Sequence, residues 1–274
     1  MHFWEAIILG IIQGLTEFLP VSSSGHLVLA QNLLGISSPG VVLEVVLHLG
    51  TFISVLIVYW QDVVGIFRGL FSLISNPTAK RRIPKELTTY RRMVILLFLG
   101  TIPTGIFGVL LEPLFSSLFD SLLVVGVALL VTGVVLYLIS RMRPGKRDFR
   151  KMGALDALAV GLAQGLAIIP GLSRSGMTIS SALGRGLNRE TATRFSFLLS
   201  LPAIGGAAIL QLRDILGLTS QMGDASMLLA GFSAAAIFGV LAIKLLVSVL
   251  KYGKLQYFAY YVWIIGLLAI WRAW

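Results

Sequence analysis

Six stretches of this chain, near 41–60, 92–111, 121–140, 192–211, 226–250 and 256–273, stay apolar long enough to cross a bilayer. Crossing roughly 30 Å of hydrocarbon takes about 20 helical residues. In hydrocarbon every backbone N–H and C=O has to be paired within the protein, so each stretch is expected to form a helix. Composition agrees, with 57% hydrophobic and only 12% charged residues and a mean hydropathy of +0.91. An ordinary soluble domain is about one-quarter charged. The expected fold class is an all-α membrane protein. Residues 1–10 carry only His2 and Glu5 as ionisable groups, which is not the basic start of a cleaved signal, so this segment is expected to belong to the fold.

The net charge of +10 would suggest nucleic acid or an acidic surface if it lay on a soluble face. Instead Arg68, Lys80, Arg81, Arg82, Lys85, Arg91 and Arg92, and then Arg141, Arg143, Lys146, Arg147, Arg150 and Lys151, flank apolar runs. That is the positive-inside pattern, and nucleic acid is not an expected partner. Placing both basic loops in the cytoplasm makes 41–60 run inward, 92–111 outward and 121–140 inward. Lys251 and Lys254 then put the end of 226–250 inside, and both chain termini fall outside. The absence of cysteine excludes disulfides, thiolate metal sites and a cysteine nucleophile.

Two further segments are too polar to be spans, and they echo each other. Gln13-Gly-Leu leads through Pro20 to Ser22-Ser-Ser-Gly25, and Gln164-Gly-Leu leads through Pro170 to Ser173-Arg-Ser-Gly176. Ser24 and Ser175 each fall 11 residues after the glutamine. Pro20 and Pro170 disfavour a continuous helix, and the arm from Ser22 to Leu34 would reach only about 20 Å. Charge bookkeeping has 3–37 begin and end outside and 153–187 begin and end inside. The expected architecture is one membrane domain, 1–274, of six transmembrane helices plus two re-entrant helix-loop-helix elements. Repeat one is 1–151 (re-entrant 3–37 plus three spans) and repeat two is 152–274 (re-entrant 153–187 plus three spans). Three spans per half is an odd number, so the repeats have inverted topology and their breaks meet near the midplane.

The breaks carry the chemistry. Gln13 and Glu17 are i and i+4 on one helix face, and Glu17 sits in a last turn, where an anion needs a cation or donor partner. A metal ion or Arg174 could supply it, and plain hydrogen bonding to nearby backbone is the simpler reading. Ser22, Ser23, Ser24 and Gly25 can cap the following helix and suit a phosphate at its N-terminus, although a serine run can be no more than a cap. His26 is a candidate general base or acid, or a hydrogen-bonded interior histidine. Arg174 matches a phosphate bidentately, and Ser173, Ser175, Gly176 and Thr178 around it read as an anion nest. Glu44 and His48, also i and i+4, are candidates for lining the same cavity or for a satisfied polar pair in the bundle.

Gln13-X-X-X-Glu17 with Pro20-Val-Ser-Ser-Ser-Gly-His26 resembles the first signature of the undecaprenyl pyrophosphate phosphatases, the bacitracin-resistance membrane enzymes. Pro170-Gly-Leu-Ser-Arg-Ser-Gly-Met-Thr178 is similar to their second. The first signature is used here in its glutamine form at Gln13, and Met177 stands where the second commonly has alanine. The resemblance implies hydrolysis of the terminal phosphate of undecaprenyl pyrophosphate, which recycles the lipid carrier for cell-wall synthesis. It also implies a divalent cation, Mg²⁺ or Ca²⁺, and an active site opening to the outer face of the bacterial cytoplasmic membrane. On that basis Arg174 with Ser173, Ser175 and Thr178 would hold the pyrophosphate, Glu17 would bind the metal, and Gln13 would orient the ion or its water. Ser23 would be the nucleophile activated by His26, with direct attack by water left open. The expected partners are the polyprenyl pyrophosphate substrate and bilayer lipids, with a homodimer left open. A transporter or flippase of the lipid phosphate is the rival reading, because inverted repeats with broken helices also build transporters.

Overall fold

The structure is a computed structural model that describes residues 2–36, 41–75, 84–118, 121–143, 145–217 and 224–274. Lys80, Arg81, Arg82 and Asp120 lie outside the described residues, as does residue 37 at the end of the first expected re-entrant element. The described residues form eleven helices: α1 (Phe3–Phe18), α2 (Ser23–Leu34), α3 (Val41–Val58), α4 (Trp60–Ser75), α5 (Lys85–Leu118) and α6 (Leu122–Arg141), then α7 (Ala154–Leu166), α8 (Arg174–Gly184), α9 (Arg189–Gly217), α10 (Ala225–Lys251) and α11 (Gln256–Arg272). Among the described residues the one β contact is an isolated bridge between Arg147 and Leu187.

Four of the helices are long and apolar enough to cross a membrane: α5 through Leu110, α6, α9 through Gln211, and α10. A fifth candidate is the pair α3 and α4, which meet at an 85° bend. The chain is a multi-pass integral membrane protein. The expected span at 256–273 corresponds to α11, which has 17 residues and is not among the helices of sufficient length and apolarity. α5 and α9 run on through Pro103 and Pro202 as continuous helices.

The reading of 61–92 as a basic connecting loop is corrected by α4 and the early start of α5. Loop composition was misleading because the acidic residue of α4 is paired in the interior. Asp62 is buried and takes Nε of Arg194 in α9 at 2.7 Å, a second contact from Nη2 of the same guanidinium, and the Tyr90 hydroxyl of α5 at 3.3 Å.

α1 packs on α10, and α7 on α5. Both contacts use bare backbone. A Cβ on Gly14 would stand 2.6 Å from the Ala235 carbonyl, and one on Gly161 would stand 2.0 Å from the Gly100 carbonyl. Small residues permit the close approach that holds helices together in lipid. In one apolar cluster Phe18, Phe195, Phe197, Leu136 and Leu246 are fully buried. Phe18, beside Glu17, meets Phe197 edge to face at 5.4 Å, which fixes the end of α1 against α9.

Candidate active site

α1 stops because Leu19 precedes a proline and is extended, at φ −66° and ψ 144°. Glu17 is therefore left in the last turn. Ser22 then caps α2 at φ 70°, the one positive φ among described non-glycine residues. Such a conformation persists only when its surroundings impose it. Here the Gly25 N–H donates to Ser22 Oγ at 3.3 Å, and the Ser22 carbonyl accepts the His26 N–H at 3.2 Å and the His26 ring at 2.8 Å.

The second break is built alike. Ser173 caps α8, with its Oγ accepting the Gly176 N–H at 3.1 Å. Thr132 of α6 holds this loop from beneath, donating to the Gly171 carbonyl at 3.2 Å and accepting the Ser173 N–H at 3.1 Å. The two breaks are bonded directly to each other. Ser175 Oγ donates to the Leu19 carbonyl at 3.0 Å, and the Gly171 N–H donates to Ser24 Oγ at 3.4 Å.

Glu17 is the centre of the assembly. Its Oε1 accepts Nη2 of Arg174 at 2.5 Å, with the two side chains only 6% and 15% exposed. Its Oε2 accepts Nε2 of Gln13 at 3.1 Å and the hydroxyl of Ser23. Ser23 and Arg174 are the first residues of α2 and α8, so two positive helix ends converge on one carboxylate. Of the two partners the sequence offered Glu17, the structure shows Arg174. Two buried polar atoms of this cluster have no partner: Nη1 of Arg174 and Oε1 of Gln13. A buried group left unpaired costs about 1–3 kcal/mol, so each points to a ligand it would satisfy.

Several hydrogen bonds differ from those the expected roles call for. Among the described residues no hydrogen bond joins His26 to Ser23, whose hydroxyl is directed to Glu17 instead. A carbonyl only accepts, so Nδ1 of His26 donates to Ser22. In the neutral ring Nε2 is then the bare acceptor, and it takes the Tyr261 hydroxyl at 2.8 Å while the rings stack at 5.5 Å. The hydroxyls expected to form an anion nest are turned inward. Ser173 serves the cap, Ser175 the facing loop, and Thr178 the Arg174 carbonyl at 2.8 Å and Ser196 of α9 at 2.5 Å. Glu44 and His48 do not pair through their side chains. The His48 ring bonds the Glu44 carbonyl at 2.8 Å, and Glu44 is exposed, with a long contact to Gln31 at 3.5 Å. Thr132 and Tyr261 were not among the sequence candidates, because a lone threonine or tyrosine inside an apolar run carries no local signal.

The donors present fit a hard divalent cation. Mg²⁺ is held by one or two carboxylates with substrate phosphates and water completing its shell, and Glu17 beside the unpartnered Gln13 oxygen supplies that minimum. Among the described residues no cluster of three His, Cys, Asp or Glu forms a cage independent of substrate.

The chain matches the family described as bacitracin resistance protein BacA over residues 6–268. It is 45% identical over 271 residues to the undecaprenyl-diphosphatase of Alkaliphilus metalliredigens, covering 98% of both chains. It is 47% identical to that of Halothermothrix orenii, again over 98% of both, and 46% identical to that of Methanosphaera stadtmanae, over 97% of this chain and 96% of the relative. With both signatures, the length and the polar centre all inside the matched region, this chain belongs to the bacitracin resistance protein BacA family.

Proposed function

We propose that this protein is an undecaprenyl-diphosphatase, releasing inorganic phosphate from undecaprenyl pyrophosphate and returning undecaprenyl phosphate to cell-wall synthesis. The observation that carries it is the Ser23–Glu17–Arg174 array, in which the hydroxyl is directed to a carboxylate and the guanidinium keeps one buried nitrogen unpartnered. Phosphoryl transfer needs chiefly positioning and neutralisation of charge. Nη1 of Arg174 and the N-termini of α2 and α8 would receive the pyrophosphate.

Ser23 Oγ attacks the terminal phosphorus while Glu17 takes its proton. The bond to the bridging oxygen breaks, and undecaprenyl phosphate leaves. Glu17 passes its proton to the departing undecaprenyl phosphate, takes one from the water that attacks the phosphoserine, and returns it to Ser23 Oγ as inorganic phosphate leaves. A divalent cation, held by Glu17 and Gln13 Oε1, would neutralise pyrophosphate charge. His26, fixed by Ser22 and Tyr261, holds the first turn of α2 in place. The prenyl tail lies in grooves between helices and in the surrounding lipid.

The same reading carries a topology of six spans and two re-entrant elements, α1–α2 and α7–α8. The second arms, of 12 and 11 residues, reach only about 18 and 16 Å. The contacts support two related halves. Pairing α1 with α7, α3 with α9 and α5 with α10 exchanges the α1–α10 contact with α7–α5, and α3–α10 with α9–α5. By the positive-inside rule the ends of α3, α6 and α10 would lie in the cytoplasm, with both termini outside.

The test is phosphate release from farnesyl or undecaprenyl pyrophosphate by purified protein in detergent, with and without EDTA. Release is expected to need the cation and to fall by at least about a thousandfold in Arg174→Ala. Full activity in that variant would remove the site. Tight binding of the lipid phosphate with no release by wild type would favour the transporter.

A further inference from the structure

We propose that the groove between α4 and the first turns of α5 is a headgroup site for an anionic phospholipid of the cytoplasmic leaflet, with Arg68 on its phosphate. The proposal uses the orientation argued above but is independent of the phosphatase reading.

α3, with 18 residues, covers roughly 27 Å, most of the hydrocarbon. The 85° bend at its end then turns α4 close to the membrane plane. α4 is packed on one side and bare on the other. Its inner face carries Asp62, Gly65 and Gly69, buried against Tyr90 of α5 and bonded to Arg194 of α9. Its outer face carries Trp60, Phe67, Phe71 and Ile74, which are 61%, 65%, 73% and 73% exposed. Their spacing of seven, four and three residues puts them in one line along the helix. A line of large apolar side chains flanked by a cation is the surface of a helix lying in a lipid interface, and Trp60 at the bend suits the headgroup level.

The occupant follows from charge and shape. An open groove of about 540 Å³ is lined by Phe67, Arg68, Phe71, Ser72, Ser75 and Leu87. Ser72 is fixed as its wall by Nε of Arg91 at 3.1 Å. Arg68 is exposed and enters no ion pair among the described residues. Residues 61–92 hold seven basic residues against two acidic ones, Asp62 and Glu86, and Asp62 is already taken by Arg194. The surplus positive charge selects an anionic headgroup over a zwitterionic one. The guanidinium takes the phosphate, and Phe67 and Phe71 take the start of the acyl chains.

The absence of native cysteine makes Phe71→Cys a unique labelling site. With an environment-sensitive fluorophore there, the protein is reconstituted into phosphatidylcholine vesicles with and without phosphatidylglycerol. Lipids carrying a doxyl group near the headgroup are expected to quench the label, and aqueous iodide is expected not to. Efficient iodide quenching with none from the lipids would overturn the interfacial placement and leave the face to water or a protein partner. In parallel, native mass spectrometry counts phosphatidylglycerol retained after delipidation. Arg68→Gln is expected to lower its affinity roughly fivefold, while Arg143→Gln, on another exposed basic segment, leaves it unchanged. Equal loss in both variants, or none in Arg68→Gln, would overturn the site. The thermal unfolding midpoint in detergent, unaltered in Arg68→Gln, serves as the folding control.

Discussion

Glu17 draws its partners from both halves of the chain, and the side from which each comes sets what its variants should do. On the proposed mechanism Ser23 and Glu17 act as one unit, so their losses are expected not to be additive. Glu17→Gln is expected to slow phosphate release roughly 10²–10⁴-fold, the range for a general base. The double variant with Ser23→Ala should fall no lower than the worse single one, and additive losses would mean that the two residues act separately. Tyr261 reaches the site only through His26. Tyr261→Phe keeps the stacking but loses the hydrogen bond, so kcat is expected to fall about three- to tenfold with KM unchanged. A change in KM alone would mean that the phenol touches substrate.

At the scale of elements, the second break is steadied from the start of α7 by a charged clasp. Asp156 in the first turn of α7 binds Arg147 at 2.5 Å and Arg185 at 2.8 Å, and it caps its own helix through the Gly153 N–H at 2.8 Å. Burial alone would raise this carboxyl. The Gly153 N–H and the Arg147 and Arg185 guanidiniums outweigh that and hold it below the usual carboxylate range. A carboxyl depressed on folding stabilises the fold above its unfolded value, about 4, and the contribution is lost as pH falls through the lower folded value. The thermal unfolding midpoint is thus expected to owe nothing to this group's titration between neutral and mildly acid pH. It should drop in stronger acid. Asp156→Asn is expected to cost about 2 kcal/mol at neutral pH and to flatten the acid limb, measured by thermal unfolding in detergent.

At the scale of the molecule, orientation is testable because the chain has no cysteine. Lys146→Cys is expected to react with a membrane-impermeant maleimide only from the cytoplasmic side, and Ala225→Cys only from outside. Reaction of both from one side would remove the inverted arrangement.

What the sequence determined by itself is what local chemistry decides. Apolar runs of helical length settled the membrane fold class, since hydrocarbon leaves the backbone no other partner. Pro20 fixed where α1 stops, and the two polar signatures named Glu17, Ser23 and Arg174 as candidates. α4 was hidden because its acidic residue is neutralised by Arg194, which lies far along the chain. The tertiary structure alone decided which atoms face each other. It joined Glu17 to Arg174, directed Ser23 to Glu17 rather than His26, turned the Ser173, Ser175 and Thr178 hydroxyls into the scaffold, and brought Tyr261 and Thr132 to the breaks. The contacts of Glu17 with Arg174, Leu19 with Ser175, His26 with Tyr261 and Thr132 with the second break depend on helices distant in sequence approaching within a hydrogen bond, and no spacing along one segment encodes that distance.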